Sequence, residues 1–315
     1  MKGSHSLGPF ARRALPALVL CVGCSAAEAP TGADPPDPTA APSAEPSATA
    51  PPSSPPPDAA PADAGPPARD AAPAAPAPPA GLACYAKHTG GTALQRGGSW
   101  VLAFGPTASP ALDVLWDDGR AKTFDEKLAA PDVEDILSIP YRRGSIVPVT
   151  GVNDDPGRIR HDGVLKAIYG QTEALVRAEL VNVSFMGQSL PFHRKAAPAL
   201  TRVAQRLATA VAQTPSLGQY VTGELGGTMT WRFIANTTRL SSHSFATAID
   251  IVVAKSNYWE WEKDTQGRFT WKNSIPQAIV DIFESEGFAW GGRWYHYDTM
   301  HFEYRPELFD PACVP

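Results

Sequence analysis

Apolar residues recur at helical spacing in two stretches of the C-terminal half of the chain. Over residues 198–212, one stripe repeats at intervals of three and four residues: Leu200, Val203, Ala204, Leu207 and Val211. Such a stripe is typical of an amphipathic helix that buries one face. A second helix is predicted over residues 274–286, with Ser274 as its cap, Pro276 in its first turn and Gly287 after its end.

Runs of alternating or β-branched residues predict several short strands. These strands cover residues 99–104, 112–116, 181–185, 228–234, 247–253 and 300–304. Shorter helices are predicted at 162–169, capped by Asp162, and from Thr172 to about Leu180. The pattern contains no internal repeat and indicates an α+β fold, in which residues 84–190 form a β-rich extension or a separate subdomain.

The N-terminal quarter of the chain has a different composition. More than half of the 33 prolines lie between Pro30 and Pro79, and no Phe, Trp or Tyr occurs between Ala11 and Cys84. A segment without large apolar side chains cannot bury enough surface to offset the entropy of ordering it. Residues 25–83 are therefore predicted to be a disordered Pro/Ala-rich linker.

The first residues resemble a secretory signal peptide. Arg12 and Arg13 precede an apolar run, residues 14–23, that is too short to span a bilayer. The sequence around Cys24 also resembles a bacterial lipoprotein cleavage box, which predicts a signal peptide over residues 1–24 and a lipid on Cys24. The alternative is ordinary cleavage at one of the following alanines, Ala26, Ala27 or Ala29. Both alternatives predict export to the bacterial cell envelope, in the periplasm or on the outer membrane.

Charge and cysteine content limit which kinds of partner the chain can bind and in which cellular compartment it folds. The formal net charge is −5, and the folded part is nearly neutral and has no dense Lys/Arg run. This argues against nucleic acid as the main partner. Cys84 and Cys313 bracket the folded part, and in an oxidising compartment they are predicted to form one disulfide. The alternative is a pair of unpaired thiols.

Three polar residues interrupt apolar runs between residues 243 and 301. Asp250 lies within a β-branched run, where a buried carboxylate requires a cation or hydrogen bonds. His243 precedes it by seven residues, and His301 also has apolar neighbours. Two His and one Asp suit a catalytic zinc that keeps one position open. Asp298 lies three residues before His301, and its side chain is on the same face of the strand only if the chain bends between them. The alternative to a metal site is that these polar residues form buried ion pairs or caps.

These residues form three ordered motifs that resemble a known family. The motifs are Ser241-x-His243-x-x-Ala246-x-Ala248-x-Asp250, Gly287-Phe-x-Trp290-Gly-Gly and Asp298-x-x-His301-Phe302. Together they resemble the zinc D-alanyl-D-alanine carboxypeptidases and L-alanyl-D-glutamate endopeptidases. These are the vancomycin-resistance-type D,D-peptidases, which share a fold with the hedgehog signalling domain. The resemblance implies a small antiparallel sheet with flanking helices, and a catalytic domain over residues 191–315.

The resemblance also implies a role for each matching position. His243, Asp250 and His301 would bind Zn²⁺, and Asp298 would act as general base toward a zinc-activated water and deliver the proton to the leaving amine. Arg232 would bind substrate or stabilise the oxyanion. Contacts to the substrate or to the ligands are candidate roles of four further residues: Ser241, Arg239, Trp290 and His296. For Trp290 the alternative is packing in the core, and for His296 it is an exposed or packed position without a role. The implied substrate is the stem peptide of peptidoglycan.

Several points stay open on the sequence. Ala246 and Arg293 depart from the family pattern, which usually has a glycine and an acidic residue there. Arg239 is either a second substrate cation or a loop anchor, and Glu303 either orients a ligand or forms a simple ion pair. Residues 155–160 predict a turn with ion pairs. The alternative to a peptidase is a non-catalytic zinc-containing lipoprotein of the same fold that binds the cell wall.

Overall fold

The computed structural model of the protein describes residues 76–105 and 111–314. Its helices are α1 (Ala80–Thr89), α2 (Phe124–Ala129), α3 (Val133–Leu137), α4 (Asp162–Tyr169), α5 (Glu173–Ala178), α6 (Ala197–Gln213), α7 (Gly218–Val221) and α8 (Gln277–Ser285). Its strands are β1 (Thr92–Arg96), β2 (Ser99–Phe104), β3 (Leu112–Leu115), β4 (Leu180–Phe185), β5 (Gln188–His193), β6 (Leu225–Gly227), β7 (Ala248–Val252), β8 (Phe288–Trp290) and β9 (His301–Tyr304). This mixture of helices and small antiparallel sheets agrees with the α+β class.

The expected signal peptide, Cys24 and linker residues 25–75 lie outside the described residues. The linker was expected to end at residue 83, but α1 begins at Ala80 and fully buries Leu82. Among the described helices, none has the length and apolar character needed to cross a membrane.

The region before β4 is less β-rich than the sequence pattern indicates. It contains one antiparallel sheet, in the order β1-β2-β3, and five helices. Helices α2 and α3 have only six and five residues, too few to show an apolar period. Their local signals are two capping boxes, Thr123 with Glu126 and Asp132 with Asp135. The described residues belong to one compact unit, and β5 crosses the expected domain boundary at 190/191.

The C-terminal region is built on a four-stranded antiparallel sheet in the order β6-β7-β9-β8. Helix α6 confirms the predicted stripe, and with α8 and the β4–β5 hairpin it packs on this sheet around one apolar core. Three large side chains at the centre of this core are fully buried: Phe283, Trp290 and Phe302. The burial of large apolar side chains in such a core is the main source of stability for a domain of this length.

The edge strand of this sheet lies earlier in the chain than predicted. Residues 228–234 do not form a strand, and the edge is the short strand β6. Backbone groups in 228–234 bond instead to the turn around His243: the Thr230 N–H donates to the His243 carbonyl, and the Arg232 N–H to Ser244 Oγ. The predicted strand is therefore wrong, because residues 228–234 form a loop that is hydrogen-bonded to the turn around His243.

Two helix starts also differ from the predictions. Ser274 does not cap α8; its hydroxyl donates to Asn257 Oδ1, and Pro276 occupies the N-cap position. Helix α4 has the predicted bounds, but its cap is His161 rather than Asp162. The Asp162 carboxylate accepts instead from the backbone N–H of Leu240, directly before the candidate site. Both residues therefore make tertiary contacts that propensity does not reveal.

The predicted disulfide between Cys84 and Cys313 is present. It joins α1 to the end of the described chain across a sequence separation of 229 residues. Helix α1 also contacts the 3-10 turn Pro306–Phe309, and His88 bonds Asp310 at 2.9 Å. The two ends of the folded part are thus held together by covalent and polar contacts.

Candidate metal centre

Three side chains from three different elements meet at one point. His243 lies in the 3-10 turn Ser242–Phe245, Asp250 is the middle residue of β7, and His301 is the first residue of β9. His243 Nε2 lies 3.2 Å from Asp250 Oδ1 and 3.2 Å from His301 Nδ1, and the last two atoms are 3.0 Å apart. The three residues expected to bind zinc are therefore brought together.

The sheet register places two of these residues side by side. Asp250 and His301 are directly paired in the antiparallel ladder of β7 and β9, so their side chains share one face. His243 reaches them from a turn whose first residue, Ser241, accepts the His243 N–H with its hydroxyl. Ala246 ends the turn with φ of 51°, a left-handed conformation that favours glycine. This explains physically why a glycine is usual at that position in the family.

Outer hydrogen bonds determine which imidazole nitrogen is free in each histidine. His243 Nδ1 lies 3.3 Å from the Thr228 carbonyl, which can only accept, so Nε2 keeps its lone pair. His301 Nε2 lies 3.3 Å from Glu303 Oε2, so Nδ1 is the free nitrogen. Metal-binding histidines usually have such partners on the second nitrogen. Glu303 therefore orients the ring of His301, and it also forms the ion pairs with Arg160 and Arg305.

The donor atoms fit a tetrahedral zinc. An ion with bonds of about 2.0–2.1 Å holds its ligand atoms about 3.3–3.4 Å apart, close to the separations in this cluster. Gly226 of β6 makes room for this arrangement, since a Cβ there would lie 2.6 Å from Asp250 Cβ.

The electrostatics of the cluster favour a cation. Burial alone would raise the pKa of Asp250, but His243 and His301 hold it well below its usual range. Burial likewise opposes a charged His301, but the carboxylates of Asp250 and Glu303 raise its pKa to about 10. A metal ion at this cluster would take the place of that proton, because imidazole nitrogens bind a metal only when they are deprotonated.

Two other groups of possible ligands occur in the described ranges. One contains Cys84 and Cys313, whose sulfurs are already joined in the disulfide. The other contains Asp117, Asp118 and Asp132, of which the last two bind the ammonium group of Lys122. With its sulfurs joined, the first group keeps one imidazole and one carboxylate, His88 and Asp310, which bond to each other. Neither group offers two imidazoles and a carboxylate, as His243, Asp250 and His301 do.

Asp298 lies beside the three ligands and is held by a turn. It forms an isolated bridge with Tyr258, and its carbonyl accepts the N–H of His301 at 3.2 Å, so the required bend is present. The backbone passes so close to Gly291 that a Cβ there would lie 2.4 Å from the Asp298 carbonyl oxygen. This close approach is a physical reason for a glycine after Trp290.

The carboxylate of Asp298 has an unusual environment. Its Oδ1 is buried and has no hydrogen-bond partner in the described part of the chain. Burial, and then the negative charge of Asp250, raise the pKa of Asp298 to about 7. A carboxylate that changes protonation state near neutral pH is suited to general base catalysis.

A cleft of about 430 Å³ opens above the cluster and has cationic side chains along it. Arg158, Arg232 and Arg239 line it, and none of them forms an ion pair within residues 76–105 and 111–314. Arg232 is exposed, as a substrate contact requires. Arg239 donates to the Arg158 carbonyl at 3.2 Å, so it anchors a loop while also lining the cleft. Burial, and then the charges of Arg160 and Arg158, lower the pKa of Arg239 to about 10.

The remaining predicted site residues separate into two groups. Ser241 and His296 line the cleft with the ligands. Trp290 does not: it is fully buried, its indole N–H donates to the Thr299 carbonyl, and it packs on Phe302. It is therefore a core residue, as the alternative interpretation expected, and not a substrate contact. Arg293 is also turned away from the cleft and forms a buried ion pair with Glu284.

The loop 154–160 reaches the site in a way that the sequence did not show. Its expected ion pairs are present, and two of them, together with one hydrogen bond of Arg158, lead to the candidate centre. Asp155 pairs with His296, Arg160 pairs with Glu303, and Arg158 Nη1 donates to the His296 carbonyl. The signal in the sequence is only a short turn with two arginines, and their partners lie more than 130 residues away.

Comparison with known proteins supports the same family for one segment. Residues 235–304 match the model of a family described as D-alanyl-D-alanine carboxypeptidase. This segment contains His243, Asp250, Asp298 and His301, whereas Arg232 and the loop 154–160 lie outside it. No curated protein and no solved structure matches the chain significantly, so the hedgehog-like fold stays a prediction.

Proposed function

We propose that this chain is a zinc metallopeptidase that hydrolyses a peptide bond in peptidoglycan stem peptides, as a D,D-carboxypeptidase or an L-alanyl-D-glutamate endopeptidase. One observation carries the proposal. His243, Asp250 and His301 bring three donor atoms together inside the matched segment. Beside them lies the carboxylate of Asp298, whose buried Oδ1 has no hydrogen-bond partner among the described residues. A purely structural metal site does not require that additional carboxylate.

Each group in the cleft has a distinct task in the proposed reaction. A zinc ion held by His243, Asp250 and His301 would supply a Lewis acid and lower the pKa of a water molecule. Asp298 accepts the proton of the attacking water, because its carboxylate lies in the same cleft and has a pKa near neutral. The exposed guanidinium of Arg232 stabilises the negative charge that develops on the carbonyl oxygen.

The cationic cleft suits an acidic peptide. Stem peptides carry free carboxylates at D-glutamate and at their C-terminus. Arg158, Arg232 and Arg239 line the cleft without a carboxylate partner among the described residues. The lowered pKa of Arg239 indicates that a charged guanidinium at this half-buried position gains from a nearby anion.

The test is a cleavage assay on the full chain. Purified protein is incubated with stem peptides, the products are identified by mass spectrometry, and zinc content is measured in parallel. We expect one zinc per chain and cleavage that is lost with a chelator and in Asp298→Asn. Asp281→Asn, an exposed carboxylate outside the cleft, is the matched control and should retain activity. One zinc per chain without cleavage would favour the non-catalytic wall-binding lipoprotein, and the products identify the bond that is cut.

We also propose that the enzyme is exported and attached to a membrane through lipidated Cys24, with residues 25–79 as a tether. The support is the N-terminal sequence and the disulfide, which requires an oxidising compartment. At about 3.1 Å per residue in polyproline conformation, such a tether would extend beyond 100 Å. Cys24→Ser should release the protein from the membrane fraction, and a shortened linker should reduce wall cleavage in cells but not cleavage of soluble peptides.

A further inference from the structure

Four possible metal ligands meet where the two ends of the folded part are joined. They are Cys84 and His88 of α1, and Asp310 and Cys313 of the turn 310–313. One donor atom from each residue lies within 4.8 Å of the donor atoms of the other three. The two sulfurs form the disulfide, and His88 Nε2 lies 2.9 Å from Asp310 Oδ2. Reduction of the disulfide adds two thiols to this imidazole and carboxylate.

Local backbone structure positions each pair of ligands. Cys84 and His88 are four residues apart in α1, so their side chains lie on one face of the helix. Asp310 and Cys313 are three residues apart in a turn that is closed by the Cys313 N–H, which donates to the Asp310 carbonyl at 2.9 Å. Zinc sites commonly take two ligands at such a spacing from one segment and two from another. The arrangement therefore has the organisation of a metal site as well as that of a disulfide.

The polar ligands are held with their donor atoms facing the sulfurs and accessible from solvent. Asp310 Oδ1 accepts the N–H of Ala312 at 3.0 Å, so Oδ2 is the oxygen directed at His88. The side chains of His88 and Asp310 are 20% and 23% exposed, whereas both cysteines are buried in an apolar cluster. An ion can therefore enter from the solvent side, and the apolar cluster shields the opposite side.

Zn²⁺ fits this donor set once the sulfurs separate. At about 2.3 Å from a tetrahedral ion, two sulfurs lie about 3.8 Å apart, which is beyond the length of a disulfide bond, so the ion requires free thiols. Thiolate and imidazole ligands suit zinc, whereas Mg²⁺ and Ca²⁺ require oxygen ligands. Two thiolates and one carboxylate carry three negative charges, of which Zn²⁺ offsets two. Lys87 Nζ, 3.7 Å from Asp310 Oδ2, offsets the third.

We propose that Cys84, His88, Asp310 and Cys313 form a thiol-dependent zinc site that replaces the disulfide when the protein is reduced. A dithiol reductant is oxidised to its own disulfide, and each cysteine sulfur gains one electron and one proton. Zn²⁺ then displaces the two thiol protons and binds His88 through Nε2. The two ends of the folded part are joined by a covalent bond under oxidising conditions and by a metal ion under reducing conditions. This proposal does not rest on the peptidase function.

The test counts metal ions in the full chain in both redox states. The protein is reduced with a dithiol, desalted without oxygen and dialysed against Zn²⁺, and an oxidised sample is treated in parallel. We expect one zinc per chain in the oxidised protein and two in the reduced protein. Co²⁺ in place of Zn²⁺ adds a specific signal, because a cobalt–thiolate bond absorbs in the near ultraviolet. The candidate metal centre has no sulfur ligand, so this band reports only the proposed site.

Variants separate the four ligands from their surroundings. The Cys84→Ser/Cys313→Ser variant should lack the cobalt–thiolate band in both redox states. Loss of an outer partner of a metal site already costs about 10–100-fold in affinity, so His88→Ala should lower the affinity of the reduced site at least about 10-fold. Asp310→Asn should also weaken it, whereas Asp113→Asn, at an exposed carboxylate on β3, should not.

Melting temperatures show whether the ion stabilises the fold. Without added metal, reduction should lower the melting temperature of the wild type, and Zn²⁺ should raise it again by binding the folded state. The double cysteine variant shows how much of that rise belongs to the candidate metal centre. Equal zinc content in both redox states without a cobalt–thiolate band would overturn the proposal, as would a reduced wild type that Zn²⁺ does not stabilise beyond the double variant.

Discussion

The three candidate zinc ligands depend on neighbouring residues outside the cluster. Thr228 and Glu303 determine the free nitrogen of His243 and His301, and Gly226 leaves the space that Asp250 occupies. Burial would raise the pKa of Glu303, but Arg160, His301 and Arg305 hold it well below its usual range, so its carboxylate stays charged. The chemistry of three residues is thus set by contacts that spacing in the sequence does not indicate.

Gly226→Ala should weaken zinc binding. A Cβ at this position would lie 2.6 Å from Asp250 Cβ and 3.0 Å from Val253 Cγ2, so the Asp250 backbone must shift. We expect the zinc dissociation constant to rise about 10–100-fold, the range found when support around a ligand is removed. Competition with a chromophoric chelator measures this. Gly218→Ala is the control, because the nearest neighbour of its Cβ, Val211 Cγ1, would be at an ordinary 3.4 Å. Unchanged affinity in Gly226→Ala would contradict the role of this glycine.

Arg232→Gln should impair catalysis without affecting stability or zinc content. The side chain is exposed and donates no hydrogen bond to a described residue, so the fold loses nothing. We expect kcat/KM on the stem peptide to fall about 10²–10³-fold, as when an oxyanion donor is removed. Arg96→Gln, an exposed arginine on β1, should leave kcat/KM unchanged. A large drop in melting temperature for Arg232→Gln would instead indicate a structural role.

At the scale of elements, the site depends on strand register and on one loop. The pairing of β7 with β9 places Asp250 opposite His301, and a shift by one residue would move one of them to the opposite face. The loop 154–160 then contacts three parts of the site through Asp155, Arg158 and Arg160. The N-terminal half of the folded part therefore contributes to the same centre as the matched segment.

Arg160→Gln tests the link between this loop and the ligands. The ion pair of Arg160 with Glu303 is buried, with 9% and 1% of the side chains exposed. Its removal leaves the Glu303 carboxylate less well compensated, and we expect a loss of about 1.5–3 kcal/mol in the free energy of unfolding. Zinc affinity should fall as well, since Glu303 orients His301.

Arg177→Gln provides the matched control for that experiment. Arg177 pairs with Glu173 on an exposed helix surface, where an ion pair contributes about 0.5 kcal/mol or less. Urea unfolding of both variants gives the comparison. Equal losses in the free energy of unfolding would show that the buried Arg160–Glu303 pair stabilises the fold no more than the exposed pair does.

At the scale of the whole molecule, one covalent bond joins the ends of the folded part. The disulfide closes a loop of 229 residues in the unfolded chain, which reduces the entropy of that state. Its two sulfurs lie in a second apolar cluster with Leu82, Leu102 and Ile136, away from the zinc-ligand residues. Its contribution should therefore appear in stability rather than in the geometry of the site.

The Cys84→Ser/Cys313→Ser double variant should be less stable by about 2–5 kcal/mol in urea unfolding at equilibrium. Reductant should lower the stability of the wild type by a similar amount and leave the double variant unchanged. Zinc content of the folded double variant should remain at one per chain. If complete reduction left the free energy of unfolding of the wild type unchanged, the disulfide would not stabilise the domain.

Local patterns in the sequence predict helix α6, the bounds of α4 and the strands β2, β4 and β9, because apolar periods are visible over a few positions. Polar residues in apolar runs mark His243, Asp250 and His301 as candidates, and the structure brings them together. Distant contacts decide the rest. The loop 228–234 bonds to the turn at His243, and Trp290 packs in the core rather than in the cleft. Asp155 meets His296 141 residues away. A residue's neighbours across the sheet or from another loop are determined by packing of the whole domain, and only the tertiary structure reveals them.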